Sequence, residues 1–247
     1  MQKGVLPIGV LPSSKRKSRV SICIFAVLSA AILGSNPAAA DCRSGPSPNV
    51  EWQDCNKSRL MLGGSDLTGA NLAGADFTST DFRDTNLSGA NLEKALLVRA
   101  SLAGATAKNA NFSRVEAYRT SFAGASMPDA SFASAEGERA DFSGADLTGV
   151  DFSKAELGRA IFQKATITGA KFPLANLSRA DFQGVVFEGP INFDRAFMFL
   201  TQIQGLDLSA ATGLTQWQVD LACGDAKTKL PAGLTAPKNW PCDFQLD

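Results

Sequence analysis

The chain has 247 residues, with 24 basic and 24 acidic side chains and no histidine. Without histidine, Ser-His-Asp and Cys-His catalytic groupings are excluded, and so are most catalytic zinc sites. The length allows one large domain or two small ones, and a formal net charge of zero says little about partners.

The first forty residues read as an export signal. Lys15, Arg16, Lys17 and Arg19 form a basic start, and residues 20–33 are an apolar run of fourteen, shorter than the roughly 20 residues that span a bilayer. Asn36-Pro37 breaks the run, and Ala38-Ala39-Ala40 supplies a small-x-small cleavage pattern. A signal peptide over 1–40, cleaved before Asp41, predicts a periplasmic or secreted product with no membrane span in the mature chain. An uncleaved membrane anchor is the rival reading. Cys42 as a lipid-anchored terminus is a poor fit with Asp41 before it, and the leader lacks a twin-arginine pair. The leader holds five basic residues and no acidic one, so the remaining chain has 19 basic against 24 acidic residues, a net charge of −5.

Four of the five cysteines lie beyond the leader, at the two ends: Cys42 and Cys55, then Cys223 and Cys242. An even number fits a disulfide-permissive compartment. Three pairings are open, and Cys42–Cys55 with Cys223–Cys242 closes the shortest loops. A zinc site is disfavoured by the lack of any C-x-x-C spacing and of histidine. Residues 41–59, with Trp52, read as an N-terminal disulfide cap.

From residue 60 a period of five takes over. A bulky apolar centre recurs at every position ending in 2 or 7 from Leu62 to Phe187, 26 units in one register, with small residues only at Ala107, Ala117 and Gly137. Two residues before each centre stands Ala, Thr or Val almost throughout; one before stands a small polar residue, often Asp or Asn. Glycine is frequent two after, as at Gly69, Gly74 and Gly89. Gly189-Pro190 ends this frame, and four more units follow, centred on Phe193, Met198, Ile203 and Leu208. Helical-hairpin repeats need tens of residues per unit. Here each unit offers two inward places, as a short strand does, and then a turn. Four corners close a square, so thirty units make about seven and a half coils, a rod roughly 36 Å long at a coil spacing of about 4.8 Å.

The unit A-(D/N)-(L/F)-x-x, held from 60 to about 210, resembles the pentapeptide-repeat family. The resemblance implies an all-β solenoid, a right-handed quadrilateral β-helix. Centres twenty residues apart then stack. Phe dominates the wall of Phe82, Phe122, Phe142, Phe162 and Phe182 and the opposite wall of Phe112, Phe132, Phe152 and Phe172, and smaller residues fill the other two. Close packing asks for that mixture. The three small centres predict local repacking rather than a ligand cavity.

A solenoid needs capped ends. Residues 211–247 read as the C-terminal cap, with Thr215-Gln216-Trp217-Gln218 as a capping box opening a short helix to about Cys223 and Gly224 ending it. Trp217, with Val219 or Leu221, is expected to press on the last coil and to cover Phe197, Phe199 and Leu200. The alternative is that exposed aromatics at this end mediate a homodimer.

No phosphate loop, metal-ligand set, cofactor signature or catalytic constellation appears, so no enzyme is expected, and the repeated Asp fits hydrogen bonding to turn backbone. One surface feature remains. Arg99, Arg119, Arg139, Arg159 and Arg179 recur every twenty residues, with Glu116, Glu136 and Glu156 three residues before the middle three. This predicts a charge ladder compensated by ion pairs, with Asp181 left to serve Arg179. The competing reading is a possible binding edge for anions. The functional expectation is a non-enzymatic, exported binding or scaffold protein that presents a rigid surface to a protein or a cell-envelope polymer, with no nucleic acid. The alternative implied by the family resemblance, a DNA mimic that binds gyrase, is disfavoured: residues 60–189 hold 15 acidic and 12 basic side chains, and an export signal leads away from gyrase.

Overall fold

Residues 40–242 are described in a computed structural model of the chain. The predicted signal peptide lies, but for Ala40, outside the described residues. Among those described, no helix is long and apolar enough to cross a membrane.

The period of five arises from one repeated turn. The centre's carbonyl accepts a hydrogen bond from the N–H three residues on, as Ala70 N donates to Leu67 O at 3.0 Å. The residue two after the centre has a positive φ in every unit from Asn49 to Leu200. Positive φ at that place alone marks a type II turn. Glycine takes it freely at Gly104 and Gly144, but Arg99 (57°) and Lys154 (60°) adopt it too. One such corner per unit sends the chain around a square.

Successive coils then bond in parallel register. Asn71 bridges Asn91 and Asn91 bridges Asn111, twenty residues apart, and the same step repeats on every wall. In a typical unit four of the five backbone N–H groups donate along this ladder or within the turn. The fifth follows the centre and donates to an Asp or Asn side chain two residues back, as Ser143 N does to Asp141 Oδ1 at 2.9 Å and Ser178 N to Asn176 Oδ1 at 3.1 Å. The frequent Asp is thus a turn ligand. Arg83 adds two bonds to Asp81, of 2.9 and 2.7 Å, and holds that carboxyl down at about 2. Where Thr replaces Ala inside, its hydroxyl is satisfied across coils: Thr120 Oγ1 donates to Leu97 O at 2.6 Å.

Four walls enclose one bore. In chain order, the first carries centres Leu62 to Phe182, the second Leu67 to Phe187, the third Leu72 to Phe172 and the fourth Phe77 to Leu177. Every centre from Leu62 to Phe182 is buried, and Phe187 is half-buried. Phe142 and Phe162 stack on the first wall, with centroids 5.0 Å apart and planes 6° from parallel; Phe152 and Phe172 do the same on the third, at 5.1 Å and 6°. Across the bore Phe142 meets Phe152 edge to face at 5.6 Å and 81°. Both arrangements are favoured by the ring quadrupole. The small centres are absorbed by repacking: a Cβ placed on Gly137 would stand 3.0 Å from Leu157 Cδ2.

The register slip costs no burial. After Gly189-Pro190 the pairing offset grows by one, with Lys171 bridging Asn192, and Ile191, Phe193, Ala196, Met198, Thr201, Ile203, Leu206 and Leu208 all turn inward.

The ends depart from the motif in instructive ways. Winding begins earlier than residue 60, because Glu51 bridges Asn71 and Asn56 bridges Asp76. Trp52 and Lys57 take the centre places, 1% and 6% exposed. Lys57 Nζ lies 3.8 Å from the centroid of the Trp52 ring and donates to Cys42 O at 2.9 Å and Ser44 O at 3.2 Å. It ties the loop closed by Cys42–Cys55 over the open bore. Burial pushes its ammonium below the ordinary value, against the opposing pull of Asp41. At the other end, helix α1 (Gln216–Leu221) follows Thr215, whose N–H and hydroxyl both donate to Gln218 Oε1 at 2.9 Å. The helix stops at Leu221, short of Cys223. Val219 and the Gln218 amide, not Trp217, seal the last coil: Gln218 Nε2 donates to Phe193 O and Ala196 O, and Val219 is fully buried. Trp240, beside the Cys223–Cys242 bridge, caps Ala222 through its indole N–H at 2.7 Å.

Truncating one ring should open a void that the two neighbouring coils cannot fill. Phe142→Ala is expected to lower the unfolding free energy by about 3–5 kcal/mol in urea titration, with the far-UV spectrum of the folded state unchanged.

Candidate functional site

The fourth wall is where the surface becomes chemically distinct. Each unit puts three side chains outside: one before the centre, one after it, and the corner residue. Straight parallel pairing along this wall, Leu96 to Glu116 to Glu136 to Glu156 to Asn176, turns each place into a column. The first column therefore holds Glu116, Glu136 and Glu156. The corner column holds Arg99, Arg119, Arg139, Arg159 and Arg179, all five at positive φ between 55° and 59°. Between them runs a middle column of Val98, Tyr118, Glu138, Gly158 and Ser178, fixed by bonds such as Arg119 N to Glu138 O at 3.1 Å and Arg139 N to Gly158 O at 2.9 Å.

The corner column has a backbone cost. An L-residue in the left-handed region is disfavoured by roughly 1–2 kcal/mol. The first wall mostly avoids this with Gly64, Gly104, Gly124, Gly144 and Gly184; the third wall bears it at Lys94, Arg114, Ser134, Lys154 and Leu174, and no glycine occupies a fourth-wall corner from Arg59 to Leu200. Five successive arginines thus stand where the turn itself favours glycine.

The predicted compensation by ion pairs does not form. Among the described residues, none of the five arginines lies within 4.0 Å of a carboxylate; the pairs that do form are Arg83–Asp81, Arg114–Glu93, Arg195–Asp194 and Lys229–Asp207. The reason is geometric. An offset of three places Glu and Arg at opposite margins of one wall, with the middle column between them. Arg119 instead lies over the Tyr118 ring, 5.2 Å from its centroid. Glu156 accepts from Asn176 Nδ2 at 2.8 Å, and Asp181, expected to serve Arg179, accepts from Gln163 Nε2 at 2.7 Å.

Two shallow depressions follow. One, of about 330 Å³, is lined by Arg139, Arg159 and Arg179 with Glu138, Asn176 and Ser178, and Gly158 contributes no side chain to it. The other, of about 150 Å³, is lined by Glu116, Glu136, Glu138 and Glu156 around Tyr118 and Val98. The first offers guanidinium donors to an anionic group and the second offers carboxylates to a cationic or hydroxylated one. Sequence reasoning missed Tyr118, Glu138 and Gly158, although the period of twenty marks them once the middle column is read like its neighbours. Among the described residues no group of three or more Cys, Asp or Glu side chains is arranged to hold a metal ion.

The wall ends in apolar surface. The next coil continues the three columns with Phe197, Phe199 and Leu200, as Asn176 bridges Phe197 and Arg179 N donates to Phe199 O. Trp217 lies on the following layer, 6.1 Å from Phe197. Trp217 was expected to cover these rings, but all three point outward: Phe197 and Phe199 are each 41% exposed and Trp217 59%. Phe197 and Phe199 take outward places by register, so no cap can bury them against the bore.

The family profile described as pentapeptide repeats matches the chain over residues 62–189, more than half its length. The chain belongs to the pentapeptide-repeat family. Its members are right-handed quadrilateral β-helices, as this chain's stacked squares are. The chain is similar to HetL, a pentapeptide repeat protein involved in heterocyst differentiation regulation from the cyanobacterium Nostoc sp. strain PCC 7120, at 23% identity over 73% of this chain and 89% of that one, with a TM-score of 0.29. It is also similar to QnrB1, a plasmid-mediated fluoroquinolone resistance protein, at 21% identity over 70% and 90% of the two chains, TM-score 0.38. A third similar structure is a pentapeptide repeat protein of the Arabidopsis thaliana thylakoid lumen, 27% identical over 52% and 69%, TM-score 0.15. Among curated proteins no sequence match was found.

If the arginines do not serve the fold, removing them should not weaken it. Arg119→Ala, Arg139→Ala and Arg159→Ala are each expected to change the unfolding free energy by less than about 0.5 kcal/mol. A compensated ladder would instead lose stability with each substitution, and lose less in high salt.

Proposed function

We propose that this pentapeptide-repeat protein is an exported, non-enzymatic binding or scaffold protein whose fourth wall is its recognition face. The observation that carries this reading is the arginine column: five guanidinium groups held at strained corners, without a carboxylate partner among the described residues, beside a parallel column of carboxylates. Export is supported by the leader pattern of residues 1–40 and by the two disulfides at the rod's ends. A partner for such a face carries charges of both signs in a regular array, as a protein surface or a zwitterionic cell-envelope polymer does. The near balance of charge between residues 60 and 189 argues against mimicry of DNA, which needs a strongly negative surface.

Site-specific photocrosslinking in intact cells tests the face. Gly158 is a suitable probe position, because a Cβ there would meet nothing closer than 3.9 Å. A photoreactive residue at 158 is expected to give a discrete adduct that disappears when Arg139 and Arg159 are changed to Glu. The same residue at 103, on the first wall, is expected to give none. Equal adducts from both positions, or an adduct indifferent to the arginines, would count against the fourth wall as the recognition face.

A further inference from the structure

The reading of the fourth wall as a recognition face leaves its partner open, and the geometry of the columns points to one. We infer that the fourth wall pairs with the fourth wall of a second copy of this chain, the two rods lying side by side and parallel. The inference rests on the proposal that this wall is a binding face, and it names the occupant.

The argument is one of symmetry and charge. Isologous interfaces bring the same patch of two subunits together about a twofold axis. Two flat walls can meet about an axis running along the rods or about one running across them. An axis along the rods exchanges the left and right margins and keeps the coils in order. Each arginine column then faces the other copy's glutamate column, with Arg119 opposite Glu116 of the second copy, Arg139 opposite Glu136 and Arg159 opposite Glu156. An axis across the rods keeps the margins, so that arginine faces arginine and glutamate faces glutamate. At the margins only the first arrangement is attractive; on the axis Glu138 meets its own copy, one like-charge contact against six opposite-charge ones. The match extends over several coils because both walls share one ladder: the pairing on this wall keeps an offset of twenty from Asn56 to Asn176 without a slip. Side chains that fail to pair within the chain, for want of reach across their own wall, find partners directly opposite.

The same operation accounts for the exposed rings. At the C-terminal end of the wall it sets Phe197 of each copy against Leu200 of the other and brings the two Phe199 rings together near the axis, with Trp217 at the margin. Those three aromatic side chains, 41%, 41% and 59% exposed, would then form an apolar foot to an otherwise charged seam. The ladder's ends stay uncompensated, since Arg99 meets Leu96 and Arg179 meets Asn176. A single wall is narrow, so the contact falls at the small end of specific interfaces, and a dimer sensitive to concentration and salt is the expected form.

Charge exchange tests this. Sedimentation equilibrium is run on the chain purified with both disulfides formed. Wild type is expected to dimerise at low salt and to dissociate as salt rises. The triple variant Arg119→Glu, Arg139→Glu, Arg159→Glu and the triple variant Glu116→Arg, Glu136→Arg, Glu156→Arg are each expected to raise the dimer Kd by at least about tenfold. An equimolar mixture of the two is expected to dimerise again, since each copy then carries one sign on both margins. Circular dichroism checks that both variants keep the β-helix. A wild type that stays monomeric, a dimer that survives in both variants, or a mixture that does not recover would overturn the inference. A monomeric wild type that still gives an arginine-dependent adduct from position 158 to another molecule would overturn this pairing and leave the recognition face standing. Loss of both would remove the recognition face as well.

Discussion

The bore admits one bulky side chain per wall at each level, and the rest of the molecule follows from that limit. The chain delivers an inward residue every fifth position, mostly Leu or Phe, a small residue two places earlier, and a corner between units. Phe142 shows the limit from inside: it stacks on Phe122 and Phe162 along its own wall and meets Phe132 and Phe152 edge-on across the bore. A ring held on both sides and from across has no other place to go. Ala and Thr two residues before the centres fit the space that remains, and the Thr hydroxyls reach carbonyls of the neighbouring coil.

What fixes the interior also aligns the exterior. Parallel pairing at a constant offset stacks every outward residue on its counterpart, so a sequence period of twenty becomes a straight column. On the other three walls the column before the centre is rich in residues that serve the turn, the Asp and Asn side chains that receive the one N–H the ladder omits. The fourth wall breaks this habit. Glu116, Glu136 and Glu156 replace the turn ligands, and its corners hold arginine where those of the first and second walls hold mostly glycine. Like charges about 4.8 Å apart repel, so this wall trades local turn stability for a patterned surface.

Much of this was legible in the sequence because the period is a direct image of the geometry. The centres and the second frame after Gly189-Pro190 follow from spacing, and of the three open cysteine pairings the structure forms the one with the shortest loops. What escaped did so for identifiable reasons. Lys57 hides the first coil, since an ionisable residue at a centre breaks the motif, and the carbonyls of the Cys42–Cys55 loop with the face of Trp52 make its burial tolerable. Apolarity points Trp217 inward beside Val219, whereas α1 turns Gln218 to the coil in its place, with Val219 as expected. The expected Glu–Arg pairs failed because three residues across one wall are farther apart in space than three residues along a helix. Sequence spacing found both columns but not the gap between them.

The central proposition is that each unit is a strand–corner step in a closed square, with its amides committed to neighbouring coils. Residue-resolved amide hydrogen exchange tests it most directly. The account predicts slow exchange, near the limit set by global unfolding, for inward amides such as Ala100, Leu102 and Ala140 along the whole rod. It predicts fast exchange every fifth residue wherever no Asp or Asn stands two places earlier, as at Tyr118, Glu138 and Gly158. Exchange at Ala100 or Leu102 as fast as at Tyr118, or protection with no period of five, would contradict it.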